Sequence, residues 1–150
     1  MARLADQVIL FGGLDNSNTY LADTWIWDGT TWTTQSAIPP DPCAFGAMAS
    51  QGGTIIIFGG TTTRLGVIEG ATWAWNGATW TEEEGFGDSP PARLYNSVTA
   101  DGDRIVMFGG LGPDGIIYGD TWTWNASGWR QEHPVTSPPP RYRHGAASVH

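Results

Sequence analysis

The chain of 150 residues contains no lysine and only one cysteine, Cys43. A single cysteine excludes an internal disulfide framework and any metal site built from several thiolates. The seven basic residues are all arginines and face fifteen Asp and Glu, so the net charge is −8. A chain this acidic is repelled by phosphate backbones and by anionic membrane surfaces, and we therefore expect neither nucleic acid nor a membrane as its partner.

Long hydrophobic runs are also missing. The longest aliphatic runs, at 8–11 and 55–58, span four residues, whereas a transmembrane helix needs about 20. The N-terminal sequence Met-Ala-Arg-Leu-Ala-Asp lacks the apolar stretch of a signal peptide, so we expect a soluble chain. The 21 glycines and 10 prolines are too many turn formers for a helical bundle.

Four landmarks recur three times in the same order. Phe-Gly-Gly lies at 11–13, 58–60 and 108–110, Thr-Trp-x-Trp at 24–27, 72–75 and 121–124, a further Trp follows each pair, and double prolines come next. The nine tryptophans therefore form three triplets: Trp25, Trp27 and Trp32; Trp73, Trp75 and Trp80; Trp122, Trp124 and Trp129. The chain consists of three copies of a unit of about 48 residues.

Each unit predicts four short strands, which we name A to D. The apolar runs at 8–11, 55–58 and 105–108 predict strand B, and Thr-Trp-x-Trp predicts strand C with both tryptophans on one face. Turns such as Asn76-Gly77 lead to strand D, which carries the third Trp. Strand A follows the prolines, at about 45–50, 96–100 and 144–149. Since no segment has a helical period, the fold class is all-β, and four strands repeated every 40–50 residues are typical of β-propeller blades.

These motifs resemble the kelch repeat over the whole chain, 1–150. Phe-Gly-Gly closing the second strand, Asp-Thr-Trp-x-Trp in the third and Pro-Pro-x-Arg before the next blade carry the resemblance, which implies a β-propeller with three kelch-like blades. Single copies depart from the pattern: Ala71 replaces the Asp of Asp23 and Asp120, Pro42 replaces the Arg of Arg93 and Arg141, and Phe45 and Asn96 stand where His144 fills the usual His position. These losses argue against three equivalent functional sites.

The pattern starts with a strand B that lacks its own strand A and ends with a strand A at about 144–149. Propellers that resemble this family usually close with six or seven blades, and three blades are too few for a ring. We therefore expect a six-bladed homodimer closed by strand exchange, in which the last strand completes the first blade of a partner chain. The alternative is a fragment of a longer propeller.

Antiparallel order places the long B–C and D–A loops on one side of the blades, which we call the long-loop face. Binding groups concentrate on long loops held by a rigid scaffold, and Arg and Tyr are frequent in interface hot spots. This face therefore predicts binding of a protein or of a polar or anionic ligand, against the alternative of ordinary solvated loop residues. The candidates are Asn16, Tyr20, Arg64, Arg93, Tyr95, Tyr118, Arg141, Tyr142, Arg143 and His144.

Two features have a structural and a functional interpretation. Arg93 and Arg141 either bind carboxylates at the mouth of the channel or tie a D–A loop to a neighbouring blade, and their repetition with the blade favours structure. The tryptophan triplets either form a sugar-stacking platform or fill the core. Because they recur in every copy on strands, we predict that they are core.

The sequence gives little evidence for a catalytic site. Galactose oxidase has repeats similar to these, and its copper site needs Tyr and His ligands with a Tyr–Cys crosslink, whereas the three histidines here lie within the last eighteen residues with no pair at ligand spacing. We therefore expect no cofactor and no metal, and we predict a non-catalytic binding or scaffolding module. The alternatives are an enzyme of galactose-oxidase or lyase type and a structural or engineered assembly without a ligand.

Overall fold

A computed structural model describes residues 1–36, 40–41, 43–62, 67–83 and 88–148. Their strands form three four-stranded antiparallel sheets, or blades, each built from consecutive strands, with one 3-10 turn at Pro113–Gly115. Blade 1 contains β1 (Ala2–Leu4), β2 (Gln7–Leu14), β3 (Tyr20–Trp27) and β4 (Trp32–Gln35); blade 2 contains β5 (Ala47–Gln51), β6 (Thr54–Phe58), β7 (Thr72–Trp75) and β8 (Trp80–Glu82); blade 3 contains β9 (Ser97–Asp101), β10 (Arg104–Leu111), β11 (Ile117–Asn125) and β12 (Gly128–Glu132). The predicted all-β class and the four-stranded units are confirmed. Across the described residues, no helix has the length and apolar character needed to cross a bilayer.

The first blade has a strand A of its own, contrary to the expectation from the sequence. Strand β1 pairs antiparallel with β2, from Ala2 opposite Ile9 to Leu4 opposite Gln7. A three-residue strand is too short to show a hydrophobic period, which is why the pattern missed it. At the other end, residues 144–148 form no strand and residue 149 lies outside the described residues. Ala147 and Ser148 line a shallow groove together with Thr99 and Val106 of blade 3.

The B–C connections of blades 1 and 3 are shorter than predicted because their hairpins continue beyond the glycines. Both ladders shift register after Phe11 and Phe108, where one glycine lies opposite two residues of the next strand, and they resume with Gly13 opposite Leu21 and Gly110 opposite Tyr118. This arrangement is a β-bulge, which bends the strand and increases its twist without ending the pairing. Tyr20 and Tyr118 are therefore strand residues and not loop residues.

The tryptophans connect consecutive blades. The indole of Trp80 donates a hydrogen bond from Nε1 to Oγ1 of Thr24 in blade 1, and Trp129 does the same to Thr72 in blade 2, each at 2.9 Å. Two apolar clusters lie between the blades: Ile9, Ile26, Ile55, Ile57, Trp75 and Trp80 between blades 1 and 2, and Ala49, Ile56, Phe58, Ala74, Ile105, Met107, Trp122, Trp124 and Trp129 between blades 2 and 3. This face-to-face stacking gives the propeller-like arrangement of the fold.

Burial of the tryptophans depends on their blade. Trp75, Trp80, Trp122, Trp124 and Trp129 are buried, and Trp25, Trp27 and Trp73 are half-buried. Trp32 differs from the core prediction, because 39% of its surface is exposed. It lies on the face of blade 1 that no other described blade covers.

Candidate functional site

The D–A loops approach the Phe-Gly-Gly motifs through three equivalent backbone hydrogen bonds. The N–H groups of Gly13, Gly60 and Gly110 donate to the carbonyls of Cys43, Arg93 and Arg141 in turn, each at 2.9 Å. These contacts correct the alignment made from the prolines, since the counterpart of the two arginines is Cys43 and not Pro42. The proline-based alignment failed because the loops differ in length between the prolines and the next strand.

Two residues farther along, Phe45, Tyr95 and Arg143 occupy equivalent positions with φ values of 65°, 57° and 57°. A left-handed backbone is unfavourable for residues with a side chain, and here a series of hydrogen bonds holds it. The N–H of Tyr95 donates to the carbonyl of Phe45, and the N–H of Arg143 donates to the carbonyl of Tyr95, both at 2.9 Å. The D–A loops of all three repeats are thereby joined on the long-loop face.

Their side chains form a continuous surface, which we call the aromatic–arginine row: Phe45, Tyr95, Tyr142 and Arg143. The ring of Tyr95 lies 4.9 Å from that of Phe45 and 6.1 Å from that of Tyr142. The guanidinium of Arg143 stacks on Tyr95 at 4.3 Å from the ring centroid. Phe45 is 40% and Tyr142 39% exposed, and Arg143 is exposed as well. Exposed aromatic rings beside a stacked arginine provide apolar contact area together with a fixed positive charge.

Arg93 does not contribute to this surface, because its side chain is fully buried. Its guanidinium forms a bidentate ion pair with Asp120, at 2.6 and 2.9 Å, and donates to the carbonyls of Gly109 and Pro91. Burial raises the pKa of the Asp120 carboxyl, but hydrogen bonds from Arg93 and Trp122 outweigh it and the net shift is downward. Arg93 thus has the structural role that the sequence favoured, tying its loop to blade 3.

The tyrosines of the two extended hairpins are separate from the row. Tyr118 lies under the Arg93 guanidinium, at 4.0 Å from the ring centroid, and therefore supports the buried ion pair. Tyr20 is half-buried in β3, and Asn16 is exposed in the β2–β3 turn, where Asp15 accepts hydrogen bonds from the N–H groups of Ser17 and Thr19. Arg64 lies outside the described residues. The structure thus brings together only part of the predicted set.

Arg141 and His144 adjoin the row on the side of blade 3. The exposed Arg141 repeats one contact of Arg93, donating from Nε to the carbonyl of Pro139 at 2.9 Å. His144 is half-buried against Phe108, with Nε2 at 2.7 Å from Oγ of Ser97. Burial first, and then the nearby positive charge of Arg141, lower the pKa of His144 below its ordinary value.

Neither nucleophilic side chain near these loops is activated. Burial raises the pKa of the Cys43 thiol to about 11, so almost no thiolate is present at neutral pH. The Ser97–His144 pair lacks the third side chain that orients a catalytic histidine, because no side chain of the described residues hydrogen-bonds to the buried Nδ1 of His144. The described ranges also contain no group of three or more His, Cys, Asp or Glu able to hold a metal ion.

Phe45 is the member of the row that the sequence-based candidates omitted. Its spacing carries the missing signal, since Phe45 precedes Phe58 by the same number of residues as Tyr95 precedes Phe108. The three D–A loops are aligned correctly when residues are counted back from Phe-Gly-Gly. They are misaligned when residues are counted forward from the prolines.

Comparison with known proteins gives one family. The model of the KLHDC2/KLHL20/DRC7 Kelch-repeats domain matches residues 1–150. No curated protein matches the chain significantly. The family match covers all three blades, in agreement with the repeated motifs and the sheet topology. The chain belongs to the kelch-repeat family.

Proposed function

We propose that this protein is a non-catalytic binding module whose long-loop face, centred on the aromatic–arginine row, docks a partner protein. Kelch-repeat domains are typically protein-interaction modules, which supports the general assignment. The observation that carries the specific proposal is the stacked row itself: three exposed or half-exposed rings and one guanidinium, held by three joined loops.

The charge of the row favours a partner segment with acidic side chains. Arg143 and the neighbouring Arg141 are exposed within a chain of net charge −8, so positive potential is concentrated at this point of the surface. The guanidinium of Arg143 lies over the ring of Tyr95 and is exposed to solvent. Such an arginine binds a carboxylate bidentately with little loss of side-chain entropy, because it is already stacked.

A random peptide library displayed on phage tests this docking surface. Peptides selected on the wild-type chain should be enriched in Asp and Glu and should bind the Tyr95→Ala and Arg143→Ala variants at least about tenfold more weakly. Arg104→Ala is the matched control, because Arg104 is exposed at the A–B turn, on the opposite side of the blade. Selected peptides that bind both variants as tightly as the wild type would contradict the proposal.

We also propose that two chains close one six-bladed ring, with residues 144–149 of each chain replacing β1 as the first strand of its partner's first blade. The exposed Trp32 on the outer face of blade 1 supports this assembly. Light scattering coupled to size exclusion should give twice the 16.1 kDa chain mass at micromolar concentration. Deletion of residues 143–150 should abolish the dimer, whereas a well-folded monomeric wild type would refute ring closure.

An enzyme of galactose-oxidase or lyase type is the competing class. We expect the protein to need no metal, and elemental analysis after exhaustive dialysis should find no stoichiometric copper, zinc or iron. A reproducible one-to-one metal content would overturn this expectation and would favour the enzyme.

A further inference from the structure

The three C–D turns begin with a hydrogen-bonded side chain of the same geometry. Asp28, Asn76 and Asn125 each follow the second tryptophan of strand C and are exposed. One side-chain oxygen of each accepts a hydrogen bond from the backbone N–H two residues later, at 2.8, 2.9 and 2.8 Å in turn. Of these three turns, that of blade 2 combines a side-chain amide with a following glycine, Gly77. This combination sets it apart chemically from the other two.

The side-chain amide of Asn76 is held by groups that favour its attack by a nucleophile. Its Oδ1 accepts hydrogen bonds from the N–H groups of Ala78 and Thr79, both at 2.9 Å. Two such donors stabilise the negative charge that develops on a carbonyl oxygen when a nucleophile adds to its carbon. The Thr79 hydroxyl accepts a hydrogen bond from Nδ2 at 3.2 Å and lies 3.4 Å from Oδ1. A hydroxyl in this position can pass a proton to the departing nitrogen.

Gly77 supplies the nucleophile, because its backbone nitrogen closes a five-membered ring when it bonds to Cγ of Asn76. Glycine has no Cβ to hinder this approach. A Cβ built at Gly77 would have one neighbour within 4 Å, Cδ2 of Leu4 at 3.8 Å. The turn is therefore open to the water that the second step of the reaction needs.

We propose that Asn76 is a site of spontaneous deamidation, in which the backbone nitrogen of Gly77 attacks Cγ of Asn76 and the Thr79 hydroxyl assists the proton transfer. The Gly77 nitrogen gives up its proton, which Thr79 passes to Nδ2. The bond from Cγ to Nδ2 breaks, ammonia leaves and a succinimide ring remains. Water then opens the ring, giving aspartate when it adds at Cγ and isoaspartate when it adds at the main-chain carbonyl carbon. This proposal is independent of docking and ring closure, because the C–D turns lie opposite the long-loop face.

Blade 1 already contains the aspartate product of this reaction. Asp28 accepts from the N–H groups of Thr30 and Thr31, as Asn76 does from the two residues at the same spacing. These hydrogen bonds, above all the one from Thr31, lower the pKa of Asp28. The turn therefore favours a carboxylate at this position. Conversion of Asn76 to aspartate adds one negative charge and preserves the hairpin.

The isoaspartate product has a different consequence, because it adds one carbon to the main chain between β7 and β8. These strands pair Trp75 with Trp80, whose indole donates to Thr24 of blade 1. A longer turn displaces β8 relative to β7 and thus weakens the junction of blades 1 and 2. The two products therefore differ in stability.

Incubation of the full-length protein at mildly alkaline pH tests the site, with peptide mapping by mass spectrometry to follow conversion at both asparagine turns. Asn76 should convert at least about tenfold faster than Asn125, which is followed by Ala126 and has Gly128 in the place of Thr79. Asn125 is measured in the same sample and is therefore an internal control. Equal rates at the two positions would overturn the proposal.

Thr79→Val tests the hydroxyl, because valine keeps the shape of threonine and cannot transfer a proton. It should slow conversion of Asn76 about tenfold. Thr81→Val, at an exposed position of β8, is the matched control and should convert at the wild-type rate. Circular dichroism shows that each variant is folded. An unchanged rate in folded Thr79→Val would overturn the role of Thr79.

The two products are separated from the incubated sample by ion exchange, and an isoaspartyl methyltransferase identifies the isoaspartate. The aspartate fraction should have the thermal midpoint of Asn76→Asp, which should match that of the unmodified protein. The isoaspartate fraction should unfold at a lower temperature. Equal midpoints for the two fractions would refute the link between this turn and the junction of blades 1 and 2.

Discussion

The first glycine of Phe-Gly-Gly, which is Gly12, Gly59 or Gly109, is required for two reasons. Its φ lies at 60°, 71° and 62° in the three blades, a region that L side chains rarely adopt. A Cβ built at each of these glycines would also collide with a carbonyl oxygen of the incoming D–A loop. Glycine is therefore required at this position both by the backbone conformation and by the close approach of the loop that carries the candidate site.

Gly59→Ala should lower the free energy of unfolding by about 2 kcal/mol or more, since it adds a collision with the Arg93 carbonyl to the cost of a left-handed alanine. Gly52→Ala is the control, because Gly52 has a φ of 58° with no atom within 4 Å of the added Cβ. Chemical denaturation of both variants measures the difference. Equal losses would show that the loop yields without cost and that the close approach is not what requires glycine.

The depressed pKa of His144 makes stability depend on pH. Because burial and Arg141 hold its pKa below 6.5 in the folded state, the unfolded chain takes up the proton first as the pH falls. The contribution of neutral His144 to the free energy of unfolding is therefore fully present above pH 6.5. It decreases as the pH falls from that value to the pKa of His144 in the folded state. His144→Asn, which copies Asn96 of the preceding repeat, should flatten urea stability between pH 7 and 5. An unchanged slope in His144→Asn would contradict the assignment.

At the scale of the strand, Thr-Trp-x-Trp correctly predicted the third strand of every blade, because its two tryptophans, two residues apart, lie on the same face of a strand. Trp124 is buried between blades 2 and 3, where it packs 5.5 Å from Trp129. Trp124→Ala should cost about 3–5 kcal/mol of unfolding free energy, as large-to-small changes at buried aromatic positions do. Ile117→Ala, on the same strand but 45% exposed, should cost less than about 1 kcal/mol in the same thermal or denaturant titration. Comparable losses for both variants would show that Trp124 is not core.

The sequence predicted the strand segments whose conformation follows from their residue types. It missed the segments whose conformation depends on pairing with another strand. The apolar runs that end at Phe11 and Phe108 predicted strand B correctly. The hairpins continue to Tyr20 and Tyr118 through bulges, and a bulge depends on the pairing register, which cannot be predicted from residue types alone. The candidate site was predicted in part for the same reason. Tyr95, Tyr142 and Arg143 are on the predicted face, whereas the burial of Arg93 follows from its pairing with Asp120 across two elements.

At the scale of the whole molecule, the blades are joined by repeated contacts between neighbours, so stability depends on how many junctions form. The Arg93–Asp120 pair and the Trp129–Thr72 hydrogen bond hold the junction of blades 2 and 3. At the junction of blades 1 and 2, Cys43 and Ala71 stand in place of the Arg and Asp, and the tryptophan contact remains.

Closure of one ring by two chains predicts that stability depends on protein concentration. For a dimer whose unfolding is coupled to dissociation, each tenfold increase in concentration adds about 1.4 kcal/mol to the apparent free energy of unfolding per dimer. The thermal midpoint of the wild type should therefore rise steadily across dilutions from about 1 to about 100 μM. The variant that lacks residues 143–150 supplies the comparison, because its midpoint should be lower and should not vary with concentration in this range. A wild-type midpoint that stays constant over the whole dilution series would mean that the three blades fold and melt as a single chain.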